Sequence, residues 1–138
     1  MGFVTAFLEV NFISVLVATL LAVGFGALWY GVLFGEAWMR AVGKSKDDLK
    51  RSALSMVVAV VGQFVMATML YGVMQHIGAD GIRAGIISAL LLWFGFVLPT
   101  MAINNSFQGA RPILTVINSG YFLCVLIIMG TVLGWFGV

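Results

Sequence analysis

Charge is what this sequence has least of. Of its 138 residues, 9% are Asp, Glu, Lys or Arg and 62% are hydrophobic, whereas a soluble domain carries about 25% charged residues. A short chain has a large surface for its volume, and so few charges cannot cover that surface in water. The composition therefore excludes an ordinary soluble domain, and the apolar residues must face lipid, other subunits or both.

Chemically reactive side chains are equally scarce. The single cysteine, Cys124, cannot form an intramolecular disulfide, and His76 with Asp80 gives too few ligands for a metal site in one subunit. No ionisable residue lies at the centre of a long apolar run, where such residues usually mark proton relays and coupled transport. No nucleophile–base pair or pair of carboxylates occurs. These absences predict a protein that is not an enzyme and holds no metal and no cofactor.

Four long apolar runs fill most of the chain, each close to the ~20 residues that a helix needs to cross a bilayer. Each is expected to be helical, because only a helix or a closed barrel satisfies its backbone amides in lipid. The alternating pattern of barrel strands is absent. We predict an all-α membrane protein, a four-transmembrane-helix bundle forming a single domain over residues 1–138. Its predicted helices cover approximately residues 12–34, 46–77, 81–105 and 112–136.

Lys and Arg predict how the bundle is oriented. The segment between helices one and two and the segment between helices three and four carry six of them, and the opposite side carries only Arg83. Cytoplasmic loops of membrane proteins are enriched in Lys and Arg, so both basic segments should face the cytoplasm and both termini should lie outside. The charges are too few and too local to predict nucleic acid as a partner. The six are Arg40, Lys44, Lys46, Lys50, Arg51 and Arg111.

The segment between helices one and two predicts a short interfacial helix. Phe34, Trp38 and Val42 fall on one face of a helical turn. Arg40 falls on the other face, which is typical of a segment lying on the membrane surface. Gly43 suits the C-terminal cap of this helix.

Two further patterns concern helices one and three. Residues 28–31 (Leu-Trp-Tyr-Gly) resemble residues 92–95 (Leu-Trp-Phe-Gly), and both helices run in the same direction. Such a match indicates an internal duplication or a coincidence of apolar sequence, and both stay open.

Pro99 removes a backbone hydrogen bond and is expected to kink helix three. Trp29 and Tyr30 fit the aromatic belt of a membrane interface.

Polar residues gather around the turn between helices three and four. Asn104 and Asn118 lie seven residues before and after Arg111, which at 1.5 Å per residue puts both about 10 Å from the turn, facing each other. The cluster can fasten two helices through hydrogen bonds of about 0.6–2 kcal/mol. It can also form a pocket for a lipid headgroup or small anion, with Arg111 as the anion contact. Its members are Asn104, Asn105, Gln108, Arg111, Asn118 and Tyr121.

Small residues at four-residue spacing form ridges that let helix backbones approach closely. One ridge is sufficient to pack one neighbouring helix, so the several ridges of this chain predict self-association, most simply as a two-fold dimer. The ridge residues are Ala18, Ala22 and Gly26 in helix one, Gly81, Gly85 and Ala89 in helix three, and Gly130 and Gly134 in helix four.

Several stretches resemble one family of small bacterial membrane proteins, domain of unknown function seventeen sixty-one. They are residues 28–39, 95–100 (Gly-Phe-Val-Leu-Pro-Thr) and 117–121 (Ile-Asn-Ser-Gly-Tyr), with Asn11-Phe12 resembling the family's opening. Many relatives have Ser-Pro where this chain has Gly31-Val32, which removes the basis for a proline kink in helix one. The resemblance implies a four-helix protein of the bacterial inner (cytoplasmic) membrane and supplies no activity.

Two classes of function follow from these patterns. The leading hypothesis is a non-enzymatic membrane protein that acts through helix–helix association, with itself or within a larger complex. The alternative is a small-solute or lipid-binding transporter that uses the polar cluster at the cytoplasmic end of helices three and four. The expected partners are the lipid bilayer, a second copy of the chain, and a bound lipid or small anion.

Overall fold

The computed structural model describes residues 8–45 and 53–138, and within these ranges every regular element is helical. Two wide π-helical turns interrupt the α-helices, at Trp29–Leu33 and Trp93–Val97. The predicted all-α architecture is therefore confirmed. The α-helices are α1 (Phe12–Leu28), α2 (Gly35–Val42), α3 (Ala53–His76), α4 (Ile82–Leu92), α5 (Leu98–Phe107) and α6 (Pro112–Phe136).

In the part of the chain that the structure describes, four helical stretches are long and apolar enough to cross a membrane, which confirms the predicted four-helix membrane bundle. The predicted start of helix two near residue 46 lies outside the described residues. We number the stretches span 1 (Phe12–Leu33), span 2 (Ala53–His76), span 3 (Ile82–Phe107) and span 4 (Pro112–Phe136).

The helix ends follow local chemistry. The Asn11 side chain caps α1 by accepting from the backbone N–H groups of Ile13 and Ser14, at 3.2 and 3.3 Å. The helix α2 is the short helix predicted between spans 1 and 2. It ends at Gly43, whose φ of +73° is the left-handed conformation that glycine adopts without a Cβ clash.

Each π turn begins at the tryptophan of one of the two similar four-residue stretches, residues 28–31 and 92–95, which we call the tetrads. In span 3, the Leu98 N–H donates to the Trp93 carbonyl, five residues back instead of four. The cause is Pro99, which has no N–H and whose ring would clash with the carbonyl of Gly95 in a regular α-helix. The kink expected from this proline therefore takes the form of a widened turn.

Span 1 forms the same turn without a proline. The Phe34 N–H donates to the Trp29 carbonyl at 2.7 Å, and the chain then bends sharply into α2. A Cβ on Gly35 would strike the Tyr30 carbonyl oxygen, so glycine is what permits the bend. Both four-residue stretches thus begin a π turn at their tryptophan, with a proline in span 3 and without one in span 1.

Span 4 is the centre of the bundle. In its most apolar window 39% of the residues are buried, against 11% in span 3. Span 4 packs on all three other spans and most extensively on span 3, while span 1 packs on spans 2 and 4. Span 3 therefore lies at the edge of the bundle and touches it mainly through span 4.

Glycines set the contact between spans 3 and 4. A Cβ on Gly130 would lie 2.7 Å from the carbonyl carbon of Gly85, and one on Gly134 would lie 2.5 Å from the carbonyl carbon of Gly81. Two backbones can touch in this way only where both side chains are absent. On span 1, Ala18 and Ala22 are fully buried within the chain. The ridges are thus used inside one copy, which removes them as the argument for a dimer.

Candidate functional site

Residues 118–121 of span 4 (Asn-Ser-Gly-Tyr) contact all three other spans. Asn118 Oδ1 accepts a hydrogen bond from the Tyr30 hydroxyl of span 1 at 2.7 Å. The Ser119 carbonyl accepts from the Trp93 indole N–H of span 3, also at 2.7 Å. We call residues 118–121, together with the side chains of Trp29, Tyr30, Gln63 and Trp93, the hub.

Tyr121 connects spans 1, 2 and 4 through its hydroxyl group. The hydroxyl accepts from Gln63 Nε2 at 2.8 Å and donates to the Ala22 carbonyl at 3.1 Å. A Cβ on Gly26 would lie 2.8 Å from the same hydroxyl. The Ala22–Gly26 ridge therefore packs against the hydroxyl group of Tyr121 rather than against another helix backbone.

Aromatic rings surround this hydrogen-bonded core. The Tyr121 ring stacks on Phe25 with centroids 6.1 Å apart and meets Tyr30 edge-on at 5.1 Å. Trp38 of α2 meets Tyr30 edge-on at 6.0 Å. Aromatic pairs in these geometries contribute about 0.5–1.5 kcal/mol each beyond their buried area. The contacts join the short helix α2 to the interior of the bundle.

The tryptophans of the two tetrads meet span 4 at neighbouring residues but bond differently. Trp93 donates to the Ser119 carbonyl, as described above. Trp29 lies over Gly120, where a Cβ would be 3.3 Å from its Cζ2 atom. The Trp29 indole N–H and Gln63 Oε1 are both buried and have no hydrogen-bond partner among the described residues.

The predicted polar cluster is divided between two places. Asn118 and Tyr121 belong to the hub, whereas Asn104, Gln108 and Arg111 are exposed. At the turn itself, Asn105 Nδ2 donates to Thr115 Oγ1 at 2.9 Å and ties span 3 to span 4.

The expectation that Asn104 faces Asn118 does not hold, since Asn118 is bonded to Tyr30. Successive helical residues point about 100° apart, so when Asn105 faces span 4 its neighbour Asn104 does not. The bonded pair, Asn105 and Thr115, is centred on Ala110 rather than on Arg111.

One end of the bundle carries Arg40, Lys44 and Arg111, and we call it the basic end. Here a hollow of about 420 Å³ lies between the end of α2 and the turn that joins spans 3 and 4. Arg111 lines it and is also the residue before the first turn of α6, whose free N–H groups favour an anion. The lining residues are Ala41, Val42, Gly43, Gly109, Ala110, Arg111 and Leu114.

His76 and Asp80 lie at the opposite end. Asp80 Oδ1 accepts from the Gly81 N–H at 2.9 Å and from the Val138 N–H at 3.2 Å, so it ties the end of span 4 to the start of span 3. Among residues 8–45 and 53–138, no group of three His, Cys, Asp or Glu side chains is placed to hold a metal ion.

Gln63 is a hub residue that was not predicted from the sequence, and Trp29 and Tyr30, predicted for an interfacial belt, also belong to the hub. Gln63 is only 6% exposed, and a neutral amide in the middle of an apolar helix is itself a signal of an interhelical hydrogen bond. A search restricted to ionisable residues passes over it. Trp29 and Tyr30 lie against span 4, over Gly120 and hydrogen-bonded to Asn118 respectively.

A family model described as "Protein of unknown function (DUF1761)" matches residues 13–134 of the chain, so the resemblance is confirmed. No curated protein and no solved structure matches the chain. The matched range contains the whole hub, and two of the stretches that carry the resemblance, residues 28–39 and 117–121, meet there.

Proposed function

Since the chain belongs to the family described as a protein of unknown function, DUF1761, we propose its function from the geometry: a non-enzymatic membrane protein that acts by helix–helix association in the bilayer. The observation that carries this proposal is the position of span 3. Only 11% of its most apolar window is buried, and span 4 covers it on one face. The opposite face is available to another helix.

The exposed face of span 3 combines large side chains with a glycine, as helix-packing surfaces do. Gly95 lies on this face, and Phe94 and Phe96, which are 69% and 70% exposed, project about 100° to either side of it. A Cβ on Gly95 would have nothing within 4 Å, so a neighbouring backbone can approach closely at this point. Aromatic knobs beside a glycine hollow fit a second helix of the same shape. We propose a second copy of the chain as the partner, because a two-fold contact matches the knobs of each copy to the hollow of the other.

Cysteine cross-linking in nanodiscs tests this interface. In a Cys124→Ala background, Phe94→Cys should form a disulfide-linked dimer under mild oxidation. The matched control is Val65→Cys, which lies near the middle of span 2 and is 48% exposed; it should stay monomeric. Equal cross-linking of the two variants, or a monomer mass in both mild detergent and nanodiscs, would count against the proposal.

A second candidate function, binding or transport of a lipid or small anionic solute, is favoured by the hollow at the basic end. A guanidinium offers two parallel hydrogen bonds to a phosphate or carboxylate, and Arg111 lines this hollow. The positive-inside rule puts the basic end at the cytoplasmic leaflet, where anionic headgroups are concentrated. The proposed ligand is therefore an anionic headgroup.

Native mass spectrometry of the purified protein tests this candidate. Arg111→Ala should lose co-purified anionic lipid while its unfolding temperature stays within about 2 °C of the parent, since an exposed guanidinium contributes little to folding. Arg83→Ala, an exposed arginine at the opposite end, is the matched control and should retain the lipid. If Arg111→Ala is destabilised and no sample contains bound lipid, the lipid-binding proposal is wrong and the role of Arg111 is structural.

A further inference from the structure

Two buried polar atoms of the hub have no partner among the described residues, and they are of opposite type. Gln63 Oε1 is an acceptor and the Trp29 indole N–H is a donor. Both belong to side chains that touch Tyr121. Gln63 bonds the Tyr121 hydroxyl at 2.8 Å, and the Trp29 and Tyr121 ring centroids are 6.4 Å apart.

Their lack of partners is a local exception. The hydroxyls of Tyr30 and Tyr121 and the indole N–H of Trp93 all make hydrogen bonds within the hub. An unpaired polar group inside an apolar environment is strongly disfavoured, because neither lipid nor hydrocarbon side chains can replace the water it has lost. A bound donor would satisfy Gln63 Oε1, and a bound acceptor would satisfy the Trp29 indole N–H.

Reversing the Gln63 amide does not remove the mismatch. Its oxygen would then face the Tyr121 hydroxyl, which would have to donate to it and give up the Ala22 carbonyl. The amide nitrogen, with two N–H groups, would point to where the oxygen had been, without a partner. Either orientation leaves one end of a side chain that is only 6% exposed unpaired.

The two tetrads provide an internal comparison. Trp93 and Trp29 both begin π turns and both meet span 4. The Trp93 indole bonds the Ser119 carbonyl, whereas the Trp29 ring lies over Gly120 with its N–H unpaired. The same local structure thus has a protein acceptor in one tetrad and none in the other.

We propose that Gln63 and Trp29 form a buried binding site, beside Tyr121 and between spans 1, 2 and 4, for a small neutral molecule that both donates and accepts hydrogen bonds. Neutrality follows from the surroundings, since the hub contains no Asp, Glu, Lys, Arg or His to balance a charge. Water and a small amide or alcohol solute share this chemistry.

Water-edited solid-state NMR on nanodisc-embedded protein with ¹⁵N-labelled indole and side-chain amide nitrogens tests the proposal. With water as the probe, the Trp29 indole proton should show magnetisation transfer and the Trp93 indole proton should show none. In a titration with acetamide, a saturable shift of the Trp29 resonance with loss of its water signal would identify a solute site. If neither probe reaches Trp29, the site does not exist.

Two variants decide whether Gln63 and Trp29 serve one site. Gln63→Met keeps the side-chain length without the amide and should abolish the water or acetamide signal at Trp29, with the Trp93 resonance unmoved as the control for folding. If Gln63→Met does not fold, Trp29→Phe should abolish the same signal at the Gln63 amide protons. A signal that survives in the folded variant would overturn the shared site.

Discussion

Tyr121 shows how a single hydroxyl group can hold three helices together. It accepts from Gln63 of span 2, donates to the Ala22 carbonyl of span 1, and belongs to span 4. Gly26 is the condition for this contact, because any Cβ there would lie 2.8 Å from the hydroxyl oxygen. In a membrane, where lipid tails offer no competing donors or acceptors, such bonds fix which face of each helix points inward.

Tyr121→Phe should lower the free energy of unfolding by about 1–3 kcal/mol, because it removes two interhelical hydrogen bonds and leaves the Gln63 amide unpaired. Tyr71→Phe is the matched control, a buried tyrosine of span 2 outside the hub, and should cost less. Equilibrium unfolding in mixed micelles measures both. Equal losses in the two variants would remove the special role assigned to the Tyr121 hydroxyl.

At the scale of elements, the contact between spans 3 and 4 depends on missing side chains. Gly130→Ala would drive a methyl group into the Gly85 backbone, so the two helices must separate, at a cost of about 1–3 kcal/mol. Gly62→Ala is the control: its added methyl meets nothing within 4 Å, and alanine favours a helix over glycine by about 1 kcal/mol. Thermal unfolding should therefore shift in opposite directions for the two variants. A shift of the same sign and size in both would disprove the close contact.

Two neighbouring asparagines before the turn between spans 3 and 4 provide a test variant and its control. Asn105→Leu loses the bond to Thr115 and should destabilise the bundle by about 0.6–2 kcal/mol. Asn104→Leu changes an exposed side chain and should be nearly neutral. Unfolding midpoints of the two variants in the same detergent test this, and the reverse order would mean that Asn104 is the residue that faces span 4.

The sequence predicts elements well and their rotations poorly. Length and hydropathy define the four spans, and Gly43 marks the end of α2. Spacing along one helix cannot say which neighbour a face meets, so Asn104 was matched to Asn118 and the Ala22–Gly26 ridge to another helix. The π turn of span 1 contains no proline, so the sequence gives no signal from which it could be predicted. The close approach of Gly35 to the Tyr30 carbonyl accompanies this turn and is seen only in the folded chain.

For the whole molecule, orientation is the prediction that sequence supports most directly. The six Lys and Arg residues of the two basic segments, against Arg83 alone on the other side, predict that both termini lie outside the cytoplasm. A reporter that fluoresces only in the cytoplasm, fused after Val138, should stay dark, and the same reporter inserted after Lys44 should be bright. The opposite pattern would invert the bundle and move the hollow at Arg111 to the outer leaflet.

The central place of span 4 also has a consequence for biogenesis. Ribosomes deliver the spans to the membrane in order, and span 4 is the last of the four. Until it arrives, span 1 can pack on span 2, but span 3 has little to pack against, because most of its contacts are with span 4. Tyr30 and Trp93 likewise have no acceptor before residues 118 and 119 are inserted. The packing of span 3 and the hydrogen bonds of the hub are therefore expected to form late, once span 4 is inserted, and a chain interrupted before Pro112 should leave its third helix exposed to membrane quality control.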